Sequence, residues 1–231
     1  METRRCTAFT GTLIAGLLAT CVVVEAGTIN SGIYFASGPG GSGSAAMNAT
    51  VVPNNDDNAV TQTANTGAAS VIFTSMAPID IQFTVTASSG TTEYLIGNVV
   101  INNVTGTTWN DFHFQLGFGG CKLNVGCTPF TLSGNDSLDF DTPDKTPKPT
   151  STAFTTLVHN DDTLDWSGGS VANGGTVGFT FSIDVPDGVA ATGFTLRQFA
   201  SVAEPGSVWL LGSGLILGAA ILRGKGFVRL A

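Results

Sequence analysis

The stretch Val177-Gly178-Phe179-Thr180-Phe181-Ser182-Ile183-Asp184-Val185 alternates apolar and polar residues without interruption. Successive side chains of a β-strand point to opposite faces, so all the apolar residues of this stretch lie on one face and the polar ones on the other. A strand that is buried on one face and solvated on the other is typical of an antiparallel sheet. This stretch therefore predicts a β protein.

The same period of two residues occurs at 79–85 and 111–116, and apolar β-forming residues predict further strands at 71–76, 94–102, 154–158 and 194–199. Breaks rich in Gly, Asn and Pro separate these stretches, among them 117–120 and 168–175. Many short strands with such breaks predict an all-β fold, an antiparallel β-sandwich of the Ig-like or jelly-roll-like kind, over residues 27–201. We interpret 38–44 as a flexible linker and 136–151 as a long loop.

The composition restricts the partners of this chain. It has 231 residues, a formal net charge of −8 and a sequence pI of about 4.4. Only 11% of the residues are charged, against roughly 25% in typical soluble domains. An acidic chain lacks the basic surface that binds a phosphate backbone, so we expect no nucleic-acid partner.

The N-terminus is typical of an export signal. Arg4 and Arg5 precede a mostly apolar run at 8–24, and Val24-Glu25-Ala26 provides a cleavage site with small residues. We predict a signal peptide over 1–26. An uncleaved N-terminal anchor is the alternative.

The C-terminus carries a second apolar stretch, at 207–222, followed at once by Arg223, Lys225 and Arg229. Basic residues beside an apolar stretch remain on the cytoplasmic side of a membrane. We predict a transmembrane helix over 207–222 that holds the exported body at the membrane before processing. A buried core helix is the alternative.

The tail at 202–231 resembles the PEP-CTERM sorting signals of exported bacterial proteins. Val202-Ala203-Glu204-Pro205 corresponds to the short box of that family, 207–222 to its helix, and Arg223 with Lys225 to its basic end. Ala203 stands where the family has its first proline. The resemblance implies a membrane sorting protease of the exosortase kind as a partner, and association with extracellular polysaccharide or biofilm. It also implies a cell-surface or extracellular location after processing. A plain C-terminal anchor is the alternative.

Two cysteines, Cys121 and Cys127, remain after removal of the signal peptide. An even pair in an exported chain predicts a disulfide. A metal site is the alternative, although two thiolates without a nearby histidine are too few for zinc.

Acidic residues are concentrated in the predicted long loop, at Asp136, Asp139, Asp141 and Asp144. Calcium binds six to eight oxygen ligands, which carboxylates at such spacing could supply in part. Their spacing does not match an EF-hand loop. We therefore consider a Ca²⁺ site beside the simpler interpretation as a solvated loop, and we predict no other cofactor.

Signatures of catalysis are weak. His113 lies two residues from Asp111, and His159 precedes further acidic residues, but no G-x-S-x-G elbow occurs. We predict a non-enzymatic exported protein of the cell envelope or extracellular matrix. The alternative is a surface carbohydrate-binding module or a secreted hydrolase on the same fold. A binding module would need exposed aromatic residues, and its candidates are Tyr34, Tyr94, Trp109 and Trp166.

Overall fold

The computed structural model of the protein describes residues 26–48, 52, 64–88, 90–134, 138–141 and 148–202. A single turn of 3₁₀-helix spans Asp187–Val189. The strands are β1 (Ala26–Ile29), β2 (Gly32–Gly38), β3 (Gly41–Met47), β4 (Thr66–Phe73), β5 (Ile79–Phe83), β6 (Val85–Ser88), β7 (Thr91–Asn103), β8 (Asp111–Lys122), β9 (Gly126–Leu132), β10 (Asp139–Phe140), β11 (Thr150–Ser151), β12 (Thr156–Asn160), β13 (Thr163–Ser167), β14 (Thr176–Pro186) and β15 (Phe194–Ser201). The all-β prediction is confirmed.

The strands form one sheet in the order β12-β13-β8-β15-β5-β2-β3-β4-β7-β14-β1-β6. Strand β9 pairs with β8 outside this path, and β10 and β11 pair with β14. Every pairing is antiparallel except that of β4 with β7, which is parallel. The sheet nearly closes on itself, because the chain passes directly from β5 to β6, the last strand of the path.

The sheet folds so that β8 faces β14 across the core. Phe114 of β8 lies with its ring 4.9 Å from those of Phe179 and Phe181 of β14, although these strands are not hydrogen-bonded neighbours. The ring of Phe112 contacts Phe73 of β4 at 5.7 Å in the same way. The alternating apolar residues of the sequence thus form one aromatic core, and the predicted inward residues at 79–85, 112–116 and 177–185 are buried. The stretch 79–85 is not one strand as predicted, because it is divided between β5 and β6.

The predicted break at 117–120 is instead part of β8, which runs through to Lys122. Gly119 and Gly120 have φ of 80° and 93°, and the register with β9 shifts there. A Cβ on Gly119 would lie 2.0 Å from the carbonyl oxygen of Pro129. These glycines therefore bend the β8–β9 hairpin rather than end the strand.

The interpretation of 38–44 as a linker is wrong. This segment contains the turn and paired residues of the β2–β3 hairpin, with Gly38 opposite Gly41 and Ala36 opposite Gly43. A Cβ on Gly41 would lie 2.0 Å from the carbonyl oxygen of Ile72. The glycines permit close backbone packing, which composition alone does not distinguish from flexibility.

The predicted loop at 136–151 also contains regular structure. The short strands β10 and β11 lie within it, and both pair with β14. Residues 142–147 lie outside the described part of the chain.

Tyr94 fixes the first described strand to the core. Its phenol oxygen accepts a hydrogen bond from the backbone N–H of Ile29 at 2.8 Å. Burial is the main cause that raises the pKa of Tyr94 above its ordinary value, so the folded protein keeps this phenol protonated where an exposed tyrosine ionises.

The predicted signal peptide at 1–26 lies outside the described residues except for its last residue, and the predicted helix at 207–222 lies entirely outside them. Within the described ranges, no helix has the length and apolar character needed to cross a membrane.

Candidate binding cleft

An open cleft with a volume of about 710 Å³ lies on the outer side of the sheet. Four segments border it: the first half of β2, the end of β5 with Thr84, the turn region of the β8–β9 hairpin, and the residues that lead into β15. We call this cavity the hairpin cleft.

The cleft exists because β2 leaves β5. These strands are in register only at Ala36 and Ser37, so the earlier residues of β2 diverge from the end of β5. The Tyr34 hydroxyl donates to the carbonyl oxygen of Asn30 at 2.5 Å and lies 3.2 Å from the Thr84 hydroxyl. Tyr34 thus closes the space between β2 and β5 on the side of the core. On the side of the solvent this space remains open and forms the cleft.

A buried ion pair holds the hairpin over the sheet. Both carboxylate oxygens of Asp80, a fully buried residue, accept hydrogen bonds from Arg197, at 2.8 and 2.9 Å. One of them also accepts the backbone N–H of Cys121 at 2.7 Å. The Arg197 guanidinium lies 4.1 Å from the ring centre of Phe130, and the Ser37 hydroxyl donates to the Cys121 carbonyl. Together these contacts fix the position of one cleft wall.

The hairpin turn is closed by the disulfide that the sequence predicts. Cys121 and Cys127 lie opposite each other in the β8–β9 register and are bonded. Cys121 is buried against the sheet, whereas Cys127 is exposed. The bond encloses only the turn 122–126, so it stiffens the wall of the cleft more than it restricts the whole chain.

The cleft has apolar walls with neutral polar groups between them. Among the lining residues in the described part of the chain, Lys122 carries the only charged side chain. The walls include the exposed residues Ile33, Phe35 and Leu123, and Phe35 is 60% accessible. Its neutral polar lining comprises Gln82, Thr84, Asn124, Thr128, Thr192 and Thr195. An apolar cavity with a few placed polar groups is the usual composition of a ligand site.

The tryptophan and tyrosine candidates are mostly in the core. Trp109, Trp166 and Tyr94 are buried, and only Tyr34 lines the hairpin cleft. Phe35 was not among the predicted binding residues, and its neighbour Ile33 is similarly exposed on the same face of β2. That apolar pair, separated by one residue in a stretch for which the sequence analysis made no prediction, was the available signal.

The two histidines lie apart. The His113 Nδ1 lies 2.7 Å from a carboxylate oxygen of Asp165, and its Nε2 lies 3.4 Å from Asp111. Its ring stacks on Phe199 at 4.6 Å. The Ser201 hydroxyl donates to Asp111 rather than to the histidine, so the geometry is not that of a nucleophile with its base. His159 is exposed on β12.

The candidate calcium ligands are only partly described. Asp139 lies on β10 opposite Asp184, and Asp141 is buried at the end of β10. Asp136 and Asp144 lie outside the described residues. In the described part of the chain, no group of three His, Cys, Asp or Glu side chains is arranged to hold a metal ion. The Ca²⁺ site stays a prediction.

Most of the predicted sorting signal lies beyond the described residues. Val202 is the last described residue and is 40% accessible. Ala203, Glu204, Pro205, Arg223 and Lys225 lie outside. Their role as a sorting signal stays a prediction.

Comparisons with models of known families, with curated proteins and with solved structures find no match for this chain.

Proposed function

We propose that this chain is a non-enzymatic exported protein, delivered by its C-terminal tail to the cell envelope and displayed at the cell surface or in the extracellular matrix. A membrane sorting protease of the exosortase kind would act on the tail around Glu204 and Pro205. The disulfide of the β8–β9 hairpin supports an oxidising compartment. We further propose that the folded-back sheet is a β-sandwich of the Ig-like or jelly-roll-like kind.

The position of the hairpin cleft relative to the chain exit carries this proposal. Thr195, at the start of β15, lines the cleft, and Ser201 ends the same strand just before the tail. Six residue steps of an extended strand span roughly 20 Å. Thr195 and the residue that precedes the tail are therefore at opposite ends of β15, so a body anchored by its tail would hold this side of the cleft roughly 20 Å from the anchor point.

The cleft also favours a second candidate, a polysaccharide-binding module. A sugar ring offers an apolar face and a rim of hydroxyl groups. The exposed Phe35 ring and the Leu123 side chain would contact the apolar face, and the Asn124 amide would bond the hydroxyl groups. Under this proposal the protein binds extracellular polysaccharide in the hairpin cleft.

We expect the purified protein to bind extracellular polysaccharide prepared from the producing cells, and Leu123→Ala to weaken that binding about tenfold, since the wall of the cleft loses its apolar surface. Isothermal titration calorimetry measures the affinity. Val125→Ala is the matched control, because Val125 lies in the same turn, is 75% accessible and does not line the cleft.

Two results would separate the candidates. Equal weakening by both variants would show that the cleft is not the contact site. No binding by the parent protein would remove the polysaccharide proposal and leave a structural role in the envelope.

A further inference from the structure

The charge of the hairpin cleft differs in sign from that of the rest of the molecule. In the described part of the chain the basic residues are Lys122, Lys148 and Arg197, and acidic residues outnumber them. Of all these charged residues only Lys122 lines the cleft. The cleft is therefore a locally cationic place on an acidic protein.

The ammonium group of Lys122 is available to a ligand. The ion pairs within the described ranges are formed by His113 and by Arg197, and Lys122 takes part in none of them. The Asp80 carboxylate beneath the hairpin is already neutralised by Arg197, which donates to both of its oxygens. Asp80 therefore does not compensate the charge of Lys122.

The hairpin holds the backbone of Lys122 at a fixed place on the cleft wall. Lys122 follows Cys121, which is bonded to Cys127, and it pairs with Gly126 across the hairpin. The backbone N–H of Val125 also donates to the Lys122 carbonyl oxygen at 3.1 Å. Because this backbone is fixed before a ligand arrives, only the side chain has to be ordered when the ammonium group binds an anion.

Three threonine hydroxyls of the cleft present acceptors to a ligand. Thr128, Thr192 and Thr195 line the cleft, and each donates its hydroxyl hydrogen to the backbone carbonyl oxygen of a glycine. A hydroxyl carries one donor and two acceptor lone pairs, so these groups can only accept a further hydrogen bond. They suit a ligand that is itself rich in hydroxyl donors, as a sugar is.

The donors of the cleft lie together in the hairpin turn. The Lys122 ammonium and the Asn124 amide are two residues apart there, and both residues line the cleft. An anionic acceptor of the ligand would therefore bind at the turn, and its hydroxyl groups would bind at the threonines. A carboxylate forms strong, charge-assisted hydrogen bonds with an ammonium group. A uronic acid carries both a carboxylate and hydroxyl groups on one sugar ring.

We propose that the hairpin cleft selects acidic polysaccharides, with Lys122 paired to the carboxylate of a uronic acid and the threonine hydroxyls accepting from its hydroxyl groups. This inference rests on the proposed polysaccharide binding and names the class of sugar. The net charge of −8 opposes an anionic polymer, but physiological salt screens exposed charges over about 8 Å. The groups that border the cleft therefore decide whether the polymer binds.

Chemical reduction of the carboxylates tests the class of sugar. Isothermal titration calorimetry compares the extracellular polysaccharide of the producing cells with the same polymer after its carboxyl groups have been reduced to hydroxymethyl groups. We expect the reduction to weaken binding by the parent protein about fivefold, because an exposed ion pair is lost. Equal affinity for both polymers would overturn the uronic acid proposal and leave polysaccharide binding intact. No binding of either polymer would remove both proposals.

Variants of Lys122 test the residue. Lys122→Met should bind the native polymer about fivefold more weakly than the parent protein does, and the reduced polymer equally well. Lys122→Arg keeps the charge and should keep the preference for the native polymer. Lys148→Met is the control, because Lys148 is exposed and does not line the cleft. A Lys122→Met variant that still prefers the native polymer would contradict the proposal.

Discussion

Replacement of Asp80 by Ala is expected to lower the free energy of unfolding by about 3–5 kcal/mol. The Asp80 carboxylate is fully buried and accepts two hydrogen bonds from Arg197 and one from the Cys121 backbone. Its removal leaves a largely buried guanidinium without its counter-charge and a buried N–H without an acceptor. The same substitution releases the β8–β9 hairpin from the sheet, so binding at the hairpin cleft should weaken as well.

Urea denaturation followed by tryptophan fluorescence measures this effect, since the midpoint falls with the free energy of unfolding. Asp165→Ala is the control, because Asp165 pairs with His113 in a half-exposed position and a surface pair contributes at most about 1 kcal/mol. The double variant Asp80→Ala/Arg197→Met should recover part of the loss, because it also removes the unpaired charge. A loss below about 1 kcal/mol for Asp80→Ala would show that the ion pair does not hold the hairpin.

Phe114→Ala is expected to cost about 3–5 kcal/mol of stability, a loss comparable to that of Asp80→Ala. The Phe114 ring is fully buried and contacts Phe112, Phe179 and Phe181 at 4.9 to 5.1 Å. Its removal leaves a cavity between β8 and β14, where the two parts of the sheet face each other. The aromatic neighbours are fixed on separate strands and can fill that cavity only in part.

Phe35→Ala supplies the matched control for this prediction. Phe35 is also a strand phenylalanine, but its side chain is largely exposed, so its truncation should change the free energy of unfolding by less than about 0.5 kcal/mol. Thermal and urea unfolding of both variants give the comparison. A Phe114→Ala variant as stable as Phe35→Ala would mean that β8 and β14 do not face each other as described.

The strands of the aromatic core could be predicted from the sequence, because burial of one face imposes a strict period of two. The stretch 177–185 shows this most clearly, and the structure buries each of its predicted inward residues. The hairpin β2–β3 could not be predicted in this way. Apart from Ile33, Tyr34, Phe35 and Met47 its strand residues are Gly, Ser and Ala, whose small side chains produce no hydropathy pattern.

The bend of β8 was misread for a related reason. A pair of glycines such as Gly119 and Gly120 usually indicates the end of a strand. Here the two glycines instead adopt the positive φ angles of a β-bulge within β8. The β8–β9 hairpin therefore continues over the outer face of the sheet, where it covers Asp80 of β5. Asp80 is buried beneath this bend and accepts the backbone N–H of Cys121, a contact between distant segments that the sequence alone does not indicate.

The hairpin cleft lay beyond sequence reasoning because its walls come from distant segments. Phe35, Gln82, Leu123 and Thr195 converge only after β2 separates from β5 and the hairpin folds over. The disulfide, by contrast, was predictable from two cysteines in a chain with a predicted export signal, since export and pairing are linked by redox chemistry.

The intact mass of the native protein, measured separately from membranes and from the culture medium, tests the central proposal most directly. The account predicts a released species that begins at Gly27 and ends near Pro205, the product of two cleavages. A membrane species that still ends at Ala231, with nothing released into the medium, would contradict sorting by the tail and would indicate a plain C-terminal anchor.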